Sequence, residues 1–291
     1  MNGGKPGLMN VSDVMTPRAD LVTATVPGSR DDVLDILQER QFSSVPILKE
    51  TADGEVFRGL VSRERLIEEP DEEQLALLLE DVESVPPGAS IEELARHMHQ
   101  RGARRVPVVE GGLVGIVTIT DVVTAIADGA VEATDSVGTV ADRHIHTTFE
   151  GTPLAVGQRS IDLANEPYAV VLDEDAEMAG IFTEVDIIAL AEVVEGTEGP
   201  GDSIAGQDSE WAWEGIKAVG NRILPTRNVE FPSLPVGEVM TDEVVTVSEN
   251  RTVREAAQLM IRHDIEQIPT ISGGELVRIA KDMNLLESLY A

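Results

Sequence analysis

The fold is decided by one stretch, residues 90–121, which reads SIEELARHMHQRGARRVPVVEGGLVGIVTITD. Ser90 followed by Glu93 is the pattern of a capping box, so a helix is predicted to begin here, and Gly102 is of the residue type that commonly ends one. Two short apolar runs separated by a Gly-Gly turn then predict a β-hairpin. We therefore predict a βαββα unit with these elements in order: a leading strand at 81–85, the helix, strands at 105–109 and 113–117, and a second helix opening at Thr118.

The same unit recurs along the chain, because a helix cap and a strand proline are separated by 17 residues in three places. These intervals run from Ser29 to Pro46, from Ser90 to Pro107 and from Thr252 to Pro269. A fourth helix is predicted to open at Thr152, with Pro153 at its first position and Ala169 17 residues beyond the cap. The sequence therefore predicts an α/β (α+β) fold made of four βαββα repeats.

The repeats divide the chain into segments that we expect to pair, since one such unit has too little sheet surface to form a core alone. The predicted segments are an N-terminal tail (1–10), repeat 1 (11–79), repeat 2 (80–128), repeat 3 (136–194), a linker (195–233) and repeat 4 (234–291). Repeat 3 is the most divergent because Gly157 weakens its first helix. The linker is rich in Gly, Pro and acidic residues, and Trp211 and Trp213 are predicted to belong to one short ordered element within it.

Charge and composition exclude several classes of function. The chain has 53 acidic and 22 basic residues, a net charge of −31, and such a field repels nucleic acids and anionic membranes. The acids are spread along the whole chain and lysine is scarce, which favours a halophilic cytoplasmic protein over one with a local acidic interaction surface. The absence of cysteine excludes disulfides and thiolate catalysis. No apolar run is long enough to span a bilayer, and no secretory signal is present at the N-terminus.

After the hairpin, each repeat enters its second helix through an equivalent segment of seven residues. The four segments are GLVSRER (59–65), GIVTITD (115–121), GIFTEVD (180–186) and RIAKDMN (278–284). Repeats 2 and 3 share the pattern Gly-apolar-apolar-Thr-x-x-Asp. Repeat 1 has Arg65 in place of the Asp. Repeat 4 has Arg278, Lys281 and Asn284 in place of the Gly, Thr and Asp.

In phase with four helix–hairpin units, this pattern resembles the signature of CBS domains, which are named for cystathionine β-synthase. The resemblance covers all four repeats. It implies that the repeats pair into two Bateman modules whose clefts hold adenosine compounds such as AMP, ADP, ATP or S-adenosylmethionine. A chain with four such repeats is similar to the gamma subunit of AMP-activated kinase and to stand-alone archaeal CBS proteins.

Each position of the motif has a physical reason to face a nucleotide. A glycine without Cβ allows a flat base to approach, the hydroxyl and free N–H groups at a helix N-terminus suit a phosphate, and a carboxylate three residues on can accept bonds from ribose. Arginine beside the cleft can neutralise phosphate charge. By resemblance, the ligand-binding residues are Gly115, Thr118, Asp121, Arg104, Arg105, Val106 and Pro107 in repeat 2, and Gly180, Thr183, Asp186 and Val170 in repeat 3.

The outer repeats are expected to be structural partners. Arg278 is predicted to fill the base slot of repeat 4, and Arg65 cannot accept bonds from ribose, so one usable site is expected in each pair. The competing interpretation is that Thr-x-x-Asp is only a capping box that starts a helix.

No other residues indicate chemistry. His97 and His99 are two apart on a helix and face different ways, and His144 and His146 have no acidic residue at ligand spacing, so no metal site is predicted. No catalytic pairing is present, and no cofactor is predicted. The sequence favours a non-catalytic sensor that signals to a partner enzyme or through a second copy of the chain. The alternatives are an interaction scaffold with empty clefts and a regulatory subunit of a separately encoded enzyme.

Overall fold

The computed structural model describes residues 9–40, 42–52, 54–69, 72–183, 186, 192–193, 213–219, 222–230 and 234–290. The helices are α1 (Arg30–Arg40), α2 (Arg63–Glu68), α3 (Ile91–Arg101), α4 (Ile119–Asp128), α5 (Val137–Val140), α6 (Leu154–Ala164), α7 (Val253–His263) and α8 (Asp282–Leu285). The strands are β1 (Thr16–Pro17), β2 (Ala24–Val26), β3 (Ser44–Thr51), β4 (Gly54–Ser62), β5 (Arg105–Val109), β6 (Leu113–Thr118), β7 (Thr147–Phe149), β8 (Tyr168–Leu172), β9 (Met178–Thr183), β10 (Glu192–Val193), β11 (Trp213–Val219), β12 (Arg222–Glu230), β13 (Val247–Ser248), β14 (Gln267–Ser272) and β15 (Glu275–Lys281).

Each repeat is built on an antiparallel hairpin: β3–β4, β5–β6, β8–β9 and β14–β15. In repeats 1, 3 and 4 a short strand runs parallel to the first strand of the hairpin. In repeat 2 the leading strand expected at 81–85 is reduced to one parallel bridge between Val85 and Val108. The chain therefore has the mixed α/β fold that its repeats predicted.

Four short segments dock on a partner repeat, and we call them the lead-in segments. Residues 10–17, 136–142 and 234–241 lie at the starts of repeats 1, 3 and 4, whereas residues 74–80 lead into repeat 2 and fall mostly within the range predicted for repeat 1. The first runs from a bridge with Ser90 to a pairing of β1 with β6 in repeat 2, and the second runs from Ser29 to Leu60 in repeat 1. Residues 136–142 and 234–241 are exchanged in the same way between repeats 4 and 3. This reciprocal exchange pairs repeat 1 with repeat 2 and repeat 3 with repeat 4.

Apolar anchors fix the lead-in segments. In each segment one aliphatic side chain at the start of a short helical turn is completely buried against the partner repeat, at Val11, Leu75, Val137 and Val236. Burying a side chain of this size stabilises the docked segment by roughly 1.5–3 kcal/mol. The two repeats of a pair therefore cannot fold separately without exposing these anchors.

The two pairs are joined through repeats 2 and 4, which share one hydrophobic core. Helix α4 packs against α7, and the core continues from Ile91 and Val122 in repeat 2 to Val253 and Leu285 in repeat 4. The side chain of Arg254 also donates hydrogen bonds to the last carbonyls of α4, where a cation is favoured by the helix dipole. Repeat 1 and repeat 3 have separate, smaller cores.

Repeat 3 corrects two details of the sequence alignment. Its first helix begins at Leu154 with Pro153 as the N-cap, so Pro153 is not at the first helical position as predicted. Counting 17 residues from the true cap leads to Val170, not Ala169. The hairpin registers agree, because the pairing of Val170 with Ile181 is equivalent to that of Pro107 with Ile116. Gly157 does not interrupt α6, and a Cβ there would lie only 2.7 Å from the docked side chain of Val236.

The stretch predicted to be a linker contains more structure than one short element, because β11 and β12 pair as a hairpin that also contacts β10. Trp211 lies outside the described residues, and for Trp213 only the strand is described. Among the helices that are described, none combines the length and apolar character needed to cross a membrane.

Candidate ligand-binding site

In repeat 2 the predicted site lies at the N-terminus of α4. Thr118 is the N-cap. Its backbone N–H and its hydroxyl both donate hydrogen bonds of 2.7 Å to the Oδ2 atom of Asp121. This is the expected capping box, and it uses only one carboxylate oxygen. Within the described part of the chain, Oδ1 of Asp121 accepts no hydrogen bond. One oxygen of a partly buried carboxylate therefore stays available at this position.

Repeat 3 has the same arrangement. Oδ2 of Asp186 accepts bonds from the N–H and the hydroxyl of Thr183 at 2.7 and 2.9 Å. Here the other oxygen faces the exchanged lead-in segment, and the hydroxyl of Thr241 donates to it over a long 3.4 Å. The partner repeat therefore contributes a side chain to this site, which the comparison of motifs within single repeats did not reveal.

In the outer repeats the residue equivalent to the motif threonine is Ser62 or Lys281, and each of these side chains is bound by acidic residues. The hydroxyl of Ser62 donates to Glu80 at 2.7 Å in repeat 1. In repeat 4 the ammonium group of Lys281 lies 2.8 Å from Glu166 and 3.3 Å from Asp142. Burial disfavours the charged form of Lys281, but these two carboxylates outweigh it and raise its pKa above the ordinary value. Lys281 therefore remains a cation fixed between two acids.

The glycines of the motif are required by the lead-in segments. A Cβ on Gly115 would lie 2.7 Å from both the sulfur of Met15 and the carbonyl oxygen of Thr16. On Gly180 it would lie 2.5 Å from the sulfur of Met240. The close approach that we attributed to a base is made by a neighbouring segment of the chain. Arg278, which is predicted to fill the base slot of repeat 4, donates a hydrogen bond of 3.4 Å to the carbonyl of Ala141 in the lead-in segment.

The strand residues expected to line a base pocket differ in position. Val106 is completely buried in the core shared with repeat 4, and its place in a base pocket stays a prediction. Pro107 and Arg105 alternate with it and lie on the opposite face of β5. Arg105 is paired directly with Thr118 across the hairpin. In repeat 3, Val170 faces repeat 4 and is fully buried with Tyr168 and Ile279 between the two sheets.

Arg104, the second predicted phosphate ligand, is engaged elsewhere. Its guanidinium makes two hydrogen bonds to Asp282 of repeat 4, at 3.1 and 2.6 Å, and lies 2.9 Å from Glu266. Burial disfavours the Arg104 cation, but the bonds to Asp282 more than compensate and raise its pKa. The prediction that Arg104 meets a phosphate is therefore wrong. It is an ion-pair residue between the two pairs of repeats.

The histidines form contacts of their own, and the smaller of two described cavities is lined by Gly59 of the repeat 1 motif segment. His97 lies 3.7 Å from Glu83, and His146 is hydrogen-bonded to Ser160 at 2.9 Å. The described residues contain no group of three or more side chains suited to hold a metal ion. A cavity of 520 Å³ lies along α6 and one of 220 Å³ lies beside β4, and neither is lined by Thr118, Asp121, Thr183 or Asp186.

Comparison with known proteins identifies the repeats. The family model of the CBS domain matches residues 11–72, 76–128 and 236–290. The matches cover repeats 1, 2 and 4, and the divergent third repeat lies outside them. Its hairpin register and docked lead-in segment are nevertheless the same as in the other three.

Similar chains occur in archaea. The uncharacterized protein MJ1404 of Methanocaldococcus jannaschii is 23% identical over 279 residues, which cover 95% of this chain and 61% of that protein. MJ1225 of the same organism is 26% identical over 187 residues, or 58% of this chain and 66% of its own length. This chain thus spans less than two-thirds of these curated relatives.

Two crystal structures share the whole fold. An uncharacterized conserved protein from Pyrococcus horikoshii has a TM-score of 0.69 and 25% identity, with 97% of this chain and 100% of that chain covered. The structure of MJ1225, described as a proposed archaeal homolog of g-AMPK, has a TM-score of 0.64 and 17% identity, with 96% and 99% covered. The second likeness concerns the fold alone.

Proposed function

Since this chain belongs to the CBS-domain family, whose members are regulatory, we propose that it is a non-catalytic sensor of an adenosine-containing ligand. Adenine nucleotides or S-adenosylmethionine bind at the motifs of repeats 2 and 3, and occupancy alters the packing of the two modules. The signal passes to a partner enzyme or through a second copy of the chain, in the cytoplasm. A ligand shifts such an equilibrium only by its differential affinity for the two arrangements.

The unused carboxylate oxygen of Asp121 carries this proposal. In repeat 4 the helix N-terminus is capped by the neutral Asn284, whose Oδ1 accepts from the N–H of Lys281 at 2.9 Å. Capping therefore does not need a charged residue at this position. Asp121 and Asp186 provide an additional acceptor of the kind that pairs with ribose hydroxyls. The interpretation as a cap alone does not account for the carboxylates.

Nucleotide binding is expected to raise the melting temperature, and the rise is expected to depend on these two carboxylates. A ligand at a hundred times its dissociation constant adds roughly 2.7 kcal/mol for each site. Thermal unfolding is measured in molar KCl with AMP, ADP, ATP, S-adenosylmethionine and NAD. Asp121→Ala and Asp186→Ala should each remove one part of the rise, and together they should remove it all. Asn284→Ala is the matched control and should keep it.

Repeat 2 is expected to bind a ligand with a phosphate more tightly than the same ligand without one, because Arg105 lies opposite Thr118 in its hairpin. Repeat 3 has Tyr168 opposite Thr183 at the equivalent position. Arg105→Gln introduces the residue type that repeat 4 has at this position, Gln267. We expect this change to weaken AMP binding at repeat 2 about tenfold or more, since a charge-assisted hydrogen bond contributes roughly 1.5–3 kcal/mol. Adenosine binding should change little. Equal losses for both ligands, measured by calorimetry, would show that Arg105 does not meet the phosphate.

A scaffold with empty clefts is the second candidate function. It is favoured by the complete burial of Val170 between the sheets. Unchanged melting with every nucleotide would reject the sensor and leave the scaffold.

A further inference from the structure

The four lead-in segments place one residue each at the same point of the partner repeat. Thr16 pairs with Ile116, Glu80 bridges Leu60, Asp142 bridges Ile279 and Thr241 bridges Ile181. The four hairpin registers make these partner positions equivalent, each two residues before the first polar residue of the motif. A side chain from one repeat is therefore a fixed neighbour of the motif in the other.

The identity of this residue follows the state of the motif. The two repeats with Thr-x-x-Asp, 2 and 3, receive a threonine, whereas the two repeats without it, 1 and 4, receive an acid. Threonine is neutral and can donate a hydrogen bond, as Thr241 does to Asp186. The acids instead bind the residue at the threonine position of the motif: Glu80 accepts a hydrogen bond from Ser62 in repeat 1, and Asp142 forms an ion pair with Lys281 in repeat 4.

We propose that the exchanged lead-in residue determines which clefts accept an adenine nucleotide. This inference rests on the proposed function and extends it to the specificity of each cleft. In repeats 2 and 3 a threonine leaves the motif free to bind the anionic ligand. In repeats 1 and 4 the acid occupies the polar group that would meet the phosphate and places a negative charge in its way.

Electrostatics explain why one residue is sufficient. Two like charges in direct contact repel each other strongly at the effective dielectric constant of a protein surface, so an acid beside the motif disfavours an anionic ligand. Glu80 is bonded to Ser62 at 2.7 Å, so its carboxylate lies where a phosphate oxygen would accept the same hydroxyl. Asp142 shares Lys281 with Glu166, which removes the cation from use by a ligand.

The test exchanges the two kinds of lead-in residue and counts bound AMP per chain by equilibrium dialysis in molar KCl. The unmodified protein is expected to bind two AMP molecules. Thr16→Glu should reduce the number to one. Valine has the shape of threonine and adds no charge, so Thr16→Val should keep two. Circular dichroism verifies that each variant is folded.

The opposite change should open a cleft. The triple variant Asp142→Thr, Lys281→Thr and Asn284→Asp gives repeat 4 the lead-in threonine, the motif threonine and the motif aspartate of repeat 2, and it should bind a third AMP. It keeps the proposal testable if Thr16→Glu does not fold. Two bound AMP molecules in either folded variant would overturn the proposal and leave the sensor function intact. No AMP bound to the unmodified protein would instead reject the proposed function, and with it this inference.

Discussion

Gly59→Ala is expected to destabilise the chain by about 3 kcal/mol, because two independent effects act at one position. Gly59 has a φ of +144°, a conformation that residues with a Cβ rarely adopt. A Cβ would also overlap with the carbonyl oxygen of Glu80. Relief of that overlap would separate Leu60 from Glu80, whose two backbone hydrogen bonds of 3.2 and 2.8 Å hold the lead-in segment on repeat 1.

The matched control is Gly88→Ala, since a Cβ on Gly88 would have no heavy atom within 4 Å. Denaturant unfolding followed by circular dichroism should show a large loss for Gly59→Ala and a change within about 0.5 kcal/mol for Gly88→Ala. Similar midpoints for the two variants would contradict the docking of residues 74–80 on repeat 1.

Asp282→Asn should cost about 2 kcal/mol, because it leaves the Arg104 cation without its main partner in a partly buried position. Only 9% of the Asp282 side chain is exposed, against 35% for Arg104, so the usual cost of roughly 3–5 kcal/mol for breaking a buried pair must be reduced for solvent. Asparagine retains an Oδ1 that can accept the 2.7 Å bond from the N–H of Met283, so the variant removes the charge with little other change.

Glu266→Gln provides the control for this prediction. Glu266 contacts the same guanidinium, but 62% of its side chain is exposed, so its contribution should stay within about 0.5 kcal/mol. Both variants are unfolded with denaturant in molar KCl, where exposed ion pairs are screened and buried pairs are screened less. Equal midpoints would mean that the contact between repeats 2 and 4 does not depend on Asp282.

The local elements were predicted well because their signals lie within a few residues. The capping box at Ser90, the C-cap at Gly102 and the N-cap at Thr118 all occupy the expected positions. Pro153 was misplaced by one residue, since a proline suits both the N-cap and the first helical position and only the helix boundary separates them. The domain boundaries and the ligand residues remain predictions.

Predictions that depended on distant neighbours were less successful. Arg104 directly precedes β5, which suggested a place beside the ligand, but its partner Asp282 is 178 residues away in the chain. The alternation of β5 did not reveal that Val106 faces the core, because both faces of this strand are covered. The glycine of the motif was assigned to a base for the same reason: its real neighbours, Met15 and Thr16, belong to another repeat.

The sequence by itself determined four copies of one unit, their helix starts and hairpins, and the difference between the motifs of the inner and outer repeats. These features rest on residue type and spacing over about 30 residues. Only the tertiary structure decided that each repeat is completed by the lead-in segment of its partner, that repeats 2 and 4 share one core, and which residue faces each motif. The physical reason is that burial and charge pairing act between neighbours in space. A docked segment is distant in the sequence from the repeat that it contacts, so residue spacing cannot reveal the contact.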